Sequence, residues 1–124
     1  MVLVADANIL VAAFLKASLT RELILDERLE IITPEHGFAE TARVLKRPSV
    51  FKRLNMGEEA FDELWEFLTQ RIIPVPEREY NPGLKKALRL AAHPEDAPYL
   101  ALAFARHCPV WTNDPDFQTE AVAA

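Results

Sequence analysis

Cysteine is all but missing: Cys108 is the only one among 124 residues, so neither an intramolecular disulfide nor a cysteine-based zinc finger can form. That usage points to a reducing compartment, and the cytoplasm is the expected location. No apolar run reaches membrane length. Val2 to Leu15 is interrupted by Asp6 and Asn8, has no basic segment ahead of it and is too short to span a bilayer. Net positive charge is also lacking, since 14 Lys and Arg against 19 Asp and Glu leave −5, a field that repels nucleic acid. A polyanionic ligand must then be met by a local basic patch or by bound metal. His36, His93 and His107 show no metal-ligand spacing such as His-Glu-x-x-His, and no catalytic role is assigned to them. Repeats, low-complexity tracts and linkers are absent too.

What is present is a globular balance. Half the residues are hydrophobic and 27% are charged, which calls for a packed core, and the length suits one domain spanning residues 1–124. Short β-branched runs recur and each ends in polar or turn-forming residues. Val2 to Ala5 runs into Asp6 and Asn8, Ile31-Ile32 into Thr33-Pro34, Ile72 to Val75 into Pro76, and Val110-Trp111 into Thr112-Asn113-Asp114. Helical spacing lies between them, most clearly at Phe61, Leu64, Trp65 and Leu68. Thr20 to Arg28 forms a second helix, and Pro34 opens a third that runs to about Lys46 and is stopped by Pro48. Asp96 to His107 is apolar on almost every face, the mark of a buried helix, with Cys108 beyond it as an inert buried thiol. Alternating strands and helices predict an α/β three-layer sandwich with a mainly parallel, doubly wound sheet.

In such a sheet, ligands gather beyond the carboxyl ends of the strands. Asp6 stands there after the first strand and Asp114 and Asp116 after the last, while Asp96 sits at the start of the buried helix. Taken singly, each has an ordinary structural explanation. Asp96 suits a helix N-cap, Asp6 and Asp114 suit turns, and Glu40 falls opposite the apolar stripe Phe38, Ala42 and Leu45 on a helical wheel, so pattern alone puts it in solvent. Taken as a set, carboxylates converging on one sheet edge repel one another unless a cation neutralises them. Oxygen-only ligands suit Mg²⁺ or Mn²⁺.

Four segments then carry a resemblance. Val-Ala-Asp6-Ala-Asn8, Glu40-Thr-Ala-Arg-Val-Leu45, Asp96-Ala-Pro-Tyr-Leu-Ala-Leu-Ala103 and Trp-Thr112-Asn-Asp114-Pro-Asp-Phe117 resemble, in order and spacing, the four motifs of PIN domains. The third and fourth motifs are especially similar to those of small prokaryotic members that include toxin ribonucleases of VapBC type. The resemblance implies strand order 3-2-1-4-5 and a metal-dependent ribonuclease leaving 5′-phosphate and 3′-hydroxyl ends. It also implies an acidic constellation of Asp6, Glu40, Asp96 and Asp114, which moves Glu40 from the surface into the cleft beside Gly37 and Val44. Only Gln118 to Ala124 follows the last motif, so the fifth strand is expected to be short or absent.

On this reading Asp6, Asp96 and Asp114 hold Mg²⁺ or Mn²⁺, with Glu40 binding it or taking a proton from the attacking water. Asp116 is a candidate for a second ion, Thr112 for a bond to a carboxylate or the water, and Asn8 for orienting Asp6 or touching substrate. Arg43, Lys46, Arg47, Lys52 and Arg53, with no acidic residue between Thr41 and Gly57, form the candidate RNA-binding patch. Phe51 and Tyr80 are candidates for base stacking, with core packing the stronger reading for Phe51. Phe61, Trp65 and Phe67 exceed what one core-facing stripe needs, which predicts a homodimer. If the chain is the toxin of a type II pair, an antitoxin would cover the cleft.

Two signalling and phosphatase classes of similar architecture are excluded by missing groups. A receiver domain needs an acidic pair after the first strand and a late lysine, and a haloacid-dehalogenase-type phosphatase needs Asp-x-Asp where this chain has Asp6-Ala-Asn8. The remaining alternative is a non-catalytic PIN-like module that binds RNA or protein.

Overall fold

A computed structural model describes residues 1–16 and 19–112. The four short apolar runs are the four strands of one parallel sheet: β1 (Val2–Ala5), β2 (Glu30–Pro34), β3 (Ile72–Val75) and β4 (Val110–Trp111). Their order is β3-β2-β1-β4, with Leu3 opposite Ile31, Ile31 opposite Ile72 and Ala5 opposite Trp111. This is the expected order as far as the fourth strand. The expected fifth strand lies outside the described residues.

Side-chain alternation along the strands feeds two cores. Val4 and Ile32 point to one face, where α6 (Leu84–Leu90) and α7 (Ala97–Arg106) pack with Ala87, Leu100 and Leu102 fully buried. Ala5 and Ile31 point to the other, under α1 (Ala7–Leu15), α3 (Glu35–Leu45) and α5 (Glu58–Thr69). The α5 helix buries Phe61 and Leu68 as its spacing requires, and Trp65 stacks among Phe14, Phe38 and Phe61. Two of the three aromatics that suggested a dimer surface are therefore used inside the chain. Phe67 remains 55% exposed.

Several sequence expectations are corrected. The first strand ends at Asp6 as expected, and the apolar stretch after it, to which the sequence reading assigned no element, is helix α1, whose last carbonyls, at Ala13 and Phe14, accept from the Arg21 guanidinium of α2 (Leu19–Ile24). Pro34 ends β2 and does not lie in the first turn of α3. Pro48 does more than stop α3: it is the first residue of a further helix, α4 (Pro48–Leu54), where its missing N–H costs nothing. The buried stripe of α3 is Gly37, Thr41 and Leu45, one step round from the stripe read off the wheel.

Candidate active site

The site forms at the carboxyl edge of β1 and β4. The chain winds from β1 outward to β2 and β3, then returns to place β4 on the other side of β1. The β1/β4 boundary is thus the topological switch point, where open α/β sheets leave a crevice. Asp6 follows β1 directly and is 5% exposed. Its Oδ1 accepts from the Ile9 amide at 2.9 Å, capping α1, and its Oδ2 accepts from the Thr112 hydroxyl at 2.5 Å, a bond between residues 106 apart that spans the switch point. Each carboxylate oxygen is fixed by a donor, so the side chain has little rotational freedom.

Asp6 and Asp96 occupy the N-cap positions of α1 and α7, and only Asp6 makes the side-chain cap bond. Asp96 precedes α7 in a helical backbone conformation and its side chain makes no cap bond to that helix. The side-chain cap expected of Asp96 is thus made by Asp6 on α1 instead.

Glu40 leaves the solvent position that its wheel gave it. Its Oε2 accepts from the Tyr99 hydroxyl at 3.0 Å and lies 3.9 Å from His36 Nε2 one turn earlier on α3. The His36 and Tyr99 rings are 5.9 Å apart between centroids. Close approach of α3 to α7 depends on Gly37, since a Cβ there would meet Thr33 Oγ1 at 2.9 Å and Tyr99 Oη at 3.3 Å. Thr33 is fully buried and its hydroxyl donates to the Ala5 carbonyl at 2.9 Å, tying the end of β2 to the end of β1.

Tyr99 is the residue that the sequence reading missed. It is 3% exposed and sits three positions after Asp96, in the third motif. Burial first, then the charge and hydrogen bond of Glu40, and then the charges of Asp6 and Asp96, push its phenol well above the usual tyrosine range. A neutral hydroxyl thus bonds to the Glu40 carboxylate and feels the negative charge of Asp6, which follows β1, and of Asp96, which precedes α7. Among the described residues, no three His, Cys, Asp or Glu side chains close on a common point as a metal-ligand group. Asp114 and Asp116 lie outside the described residues. The donor set is hard carboxylate oxygen, with Asp6 held by hydrogen bonds as metal-binding carboxylates usually are, so its chemistry fits a divalent ion.

Asn8 is exposed in the first turn of α1, while the bonds that fix Asp6 come from Ile9 and Thr112. Arg43, Lys46, Arg47, Lys52 and Arg53 are all exposed. Lys46 and Lys52 share a groove of about 530 Å³ with Phe51, Glu58 and Asp62, so α5 sets two carboxylates against lysines that have no acidic neighbour in sequence. Phe51 packs at 5.6 Å from Phe61. Tyr80 is 3% exposed and offers no open face for stacking. No helix among the described residues is long and apolar enough to cross a membrane.

No curated protein matches the chain. A family model of the PIN domain matches residues 4–124, covering all four motifs and nearly the whole sequence. Proteins of this family are generally nucleases that act on nucleic acid and usually require divalent metal. With the parallel β3-β2-β1-β4 sheet and an acidic crevice at its switch point, the chain belongs to the PIN domain family and has its nuclease-type fold.

Proposed function

We propose that the protein is a metal-dependent endoribonuclease that hydrolyses RNA phosphodiester bonds with Mg²⁺ or Mn²⁺. The observation that carries this reading is the pair of fixed carboxylates at the switch point, Asp6 pinned after β1 by the Ile9 amide and the Thr112 hydroxyl, and Glu40 held by the buried Tyr99 hydroxyl. Asp6, Asp96 and Asp114 would hold the ion, with Glu40 beside it and Asp116 available to a second. A bound divalent ion supplies a lowered pKa for water and neutralises charge on the scissile phosphate.

The chain's own groups do the rest. Thr112 and the Ile9 amide each donate to one oxygen of Asp6 and hold its carboxylate in place. Glu40, steadied by Tyr99, accepts the proton of the attacking water. Water oxygen bonds to phosphorus, the bond from phosphorus to the 3′ oxygen breaks, and that oxygen takes a proton from solvent water, giving 5′-phosphate and 3′-hydroxyl ends. Arg43, Lys46, Arg47, Lys52 and Arg53 meet the RNA backbone and offset the overall −5 charge. The same proposal includes a cytoplasmic location, homodimer formation and, if the chain is the toxin of a type II pair, an antitoxin over the cleft.

Calorimetric titration with Mn²⁺ tests the site directly. Binding by the wild type that is lost in Asp6→Asn and Asp96→Asn supports the reading. Absence of binding by folded wild-type protein at millimolar Mn²⁺ overturns it.

A further inference from the structure

Beside the acidic crevice lies a second groove, of about 440 Å³, lined by Glu35, His36, Ala39, Glu77, Tyr80, Leu84 and Pro98. It shares α3 and α7 with the proposed site. His36 lies 3.9 Å from Glu40, Ala39 precedes Glu40 on α3, and Pro98 precedes Tyr99 on α7. The volume lies in the range of small-molecule pockets. Its walls combine apolar surface from Ala39, Leu84 and Pro98 with the half-exposed imidazole of His36, and the buried Tyr80 touches it at its edge. The carboxylates of Glu77 and Glu35 both bear on the Tyr80 phenol and help to raise it above its usual range, after burial.

We propose that this groove takes one unpaired guanine of the RNA substrate, adjacent to the bond that is cut. This deepens the nuclease reading and rests on it for the position of the backbone. Ionised carboxylates only accept hydrogen bonds. Two of them lining one partly apolar groove repel phosphate and favour a planar group rich in N–H donors. Guanine alone among the four bases presents a ring N–H and an amino group side by side, matching the two oxygens of one carboxylate. His36 stacks on the base, as histidine does on splayed-out bases in single-stranded RNA. Duplex RNA cannot supply such a base without unstacking, so the groove favours loops and single strands.

The test titrates guanosine, adenosine, cytidine, uridine and arginine amide into the full-length protein, followed by calorimetry and by NMR shifts of the His36 ring. Guanosine is expected to bind at least about tenfold more tightly than uridine, the scale of one good bidentate pair. Glu35→Gln and Glu77→Gln, both exposed positions, are expected to reduce that preference while leaving the melting temperature unchanged. Equal affinity for all nucleosides, tighter binding of arginine amide, or a preference unaltered in both variants overturns the proposal. A parallel arm cleaves uridine-rich oligoribonucleotides that carry a single guanosine. Cutting beside guanosine that becomes indiscriminate in the variants supports the groove, and cutting without base preference in the wild type overturns it. If no RNA is cut, the nuclease reading fails and the nucleoside titration still decides the groove.

Discussion

The Tyr99 hydroxyl donates to Glu40 Oε2 at 3.0 Å across 59 residues of chain, joining α7 to α3 over the acidic crevice. Tyr99→Phe keeps the buried ring and removes this bond. The expected result is a fall in cleavage rate of about 10–100-fold, the usual cost of losing a partner that orients a metal-site carboxylate. RNA affinity should be unchanged, because the hydroxyl is buried. A single-turnover assay beside an equilibrium binding assay separates the two effects.

Tyr99 and Tyr80 are the only tyrosines in the chain. Burial raises both phenols above their usual range, helped by Glu40 at Tyr99 and by Glu77 and Glu35 at Tyr80. Ultraviolet titration should therefore show no phenolate forming near pH 10. The sign of the linked stability follows from proton binding: above about pH 10 the unfolded chain gives up protons that the native protein keeps. This stabilisation is complete below the unfolded pKa and is lost as pH rises toward the native values. Denaturant midpoints should decline above about pH 10 and decline less in Tyr99→Phe.

Asp6 has two duties, as helix cap and as site carboxylate, and two substitutions separate them. Asp6→Asn retains an oxygen for the Ile9 amide and should fold with nearly native stability while losing activity. Asp6→Ala loses the cap as well, and thermal or denaturant melting should show a further loss of about 1 kcal/mol or more.

Gly37 lies inside helix α3, where alanine would ordinarily stabilise by about 1 kcal/mol. Here the added Cβ would stand 2.9 Å from Thr33 Oγ1, which is held to the Ala5 carbonyl. Overpacking of this kind costs about 1–3 kcal/mol and should win. Gly37→Ala is expected to melt earlier than the wild type and to lose activity as the Tyr99–Glu40 bond is pushed apart.

The strands were legible because each is a brief β-branched run ended by a proline or a polar residue, a pattern that resists a helical reading. The helices α5 and α7 were legible from their spacing and length. Helix α1 was not, since Ala7 to Leu15 is apolar on nearly all sides and continues the apolar strand before it. The Pro48 helix was hidden because proline marks a stop and a first turn alike. Within the site, Asp6 and Thr112 were readable from their places after β1 and β4, but their mutual bond depends on strand order. Glu40 was placed by family resemblance against its wheel, because the true stripe of α3 runs through Gly37 and Thr41, small residues that a hydrophobic count passes over. Tyr99 was hidden for the opposite reason: an aromatic residue on a buried helix looks like core.

The central claim is that the carboxylates around Tyr99 make this chain a metal-dependent ribonuclease. The most direct measurement is cleavage of a mixed set of RNAs by purified protein in Mg²⁺ or Mn²⁺, beside EDTA and the Asp6→Asn variant. Cutting with 5′-phosphate ends that disappears in both controls is expected. Cutting that persists in EDTA or in Asp6→Asn, or no cutting by a wild-type preparation shown to be folded, would contradict it.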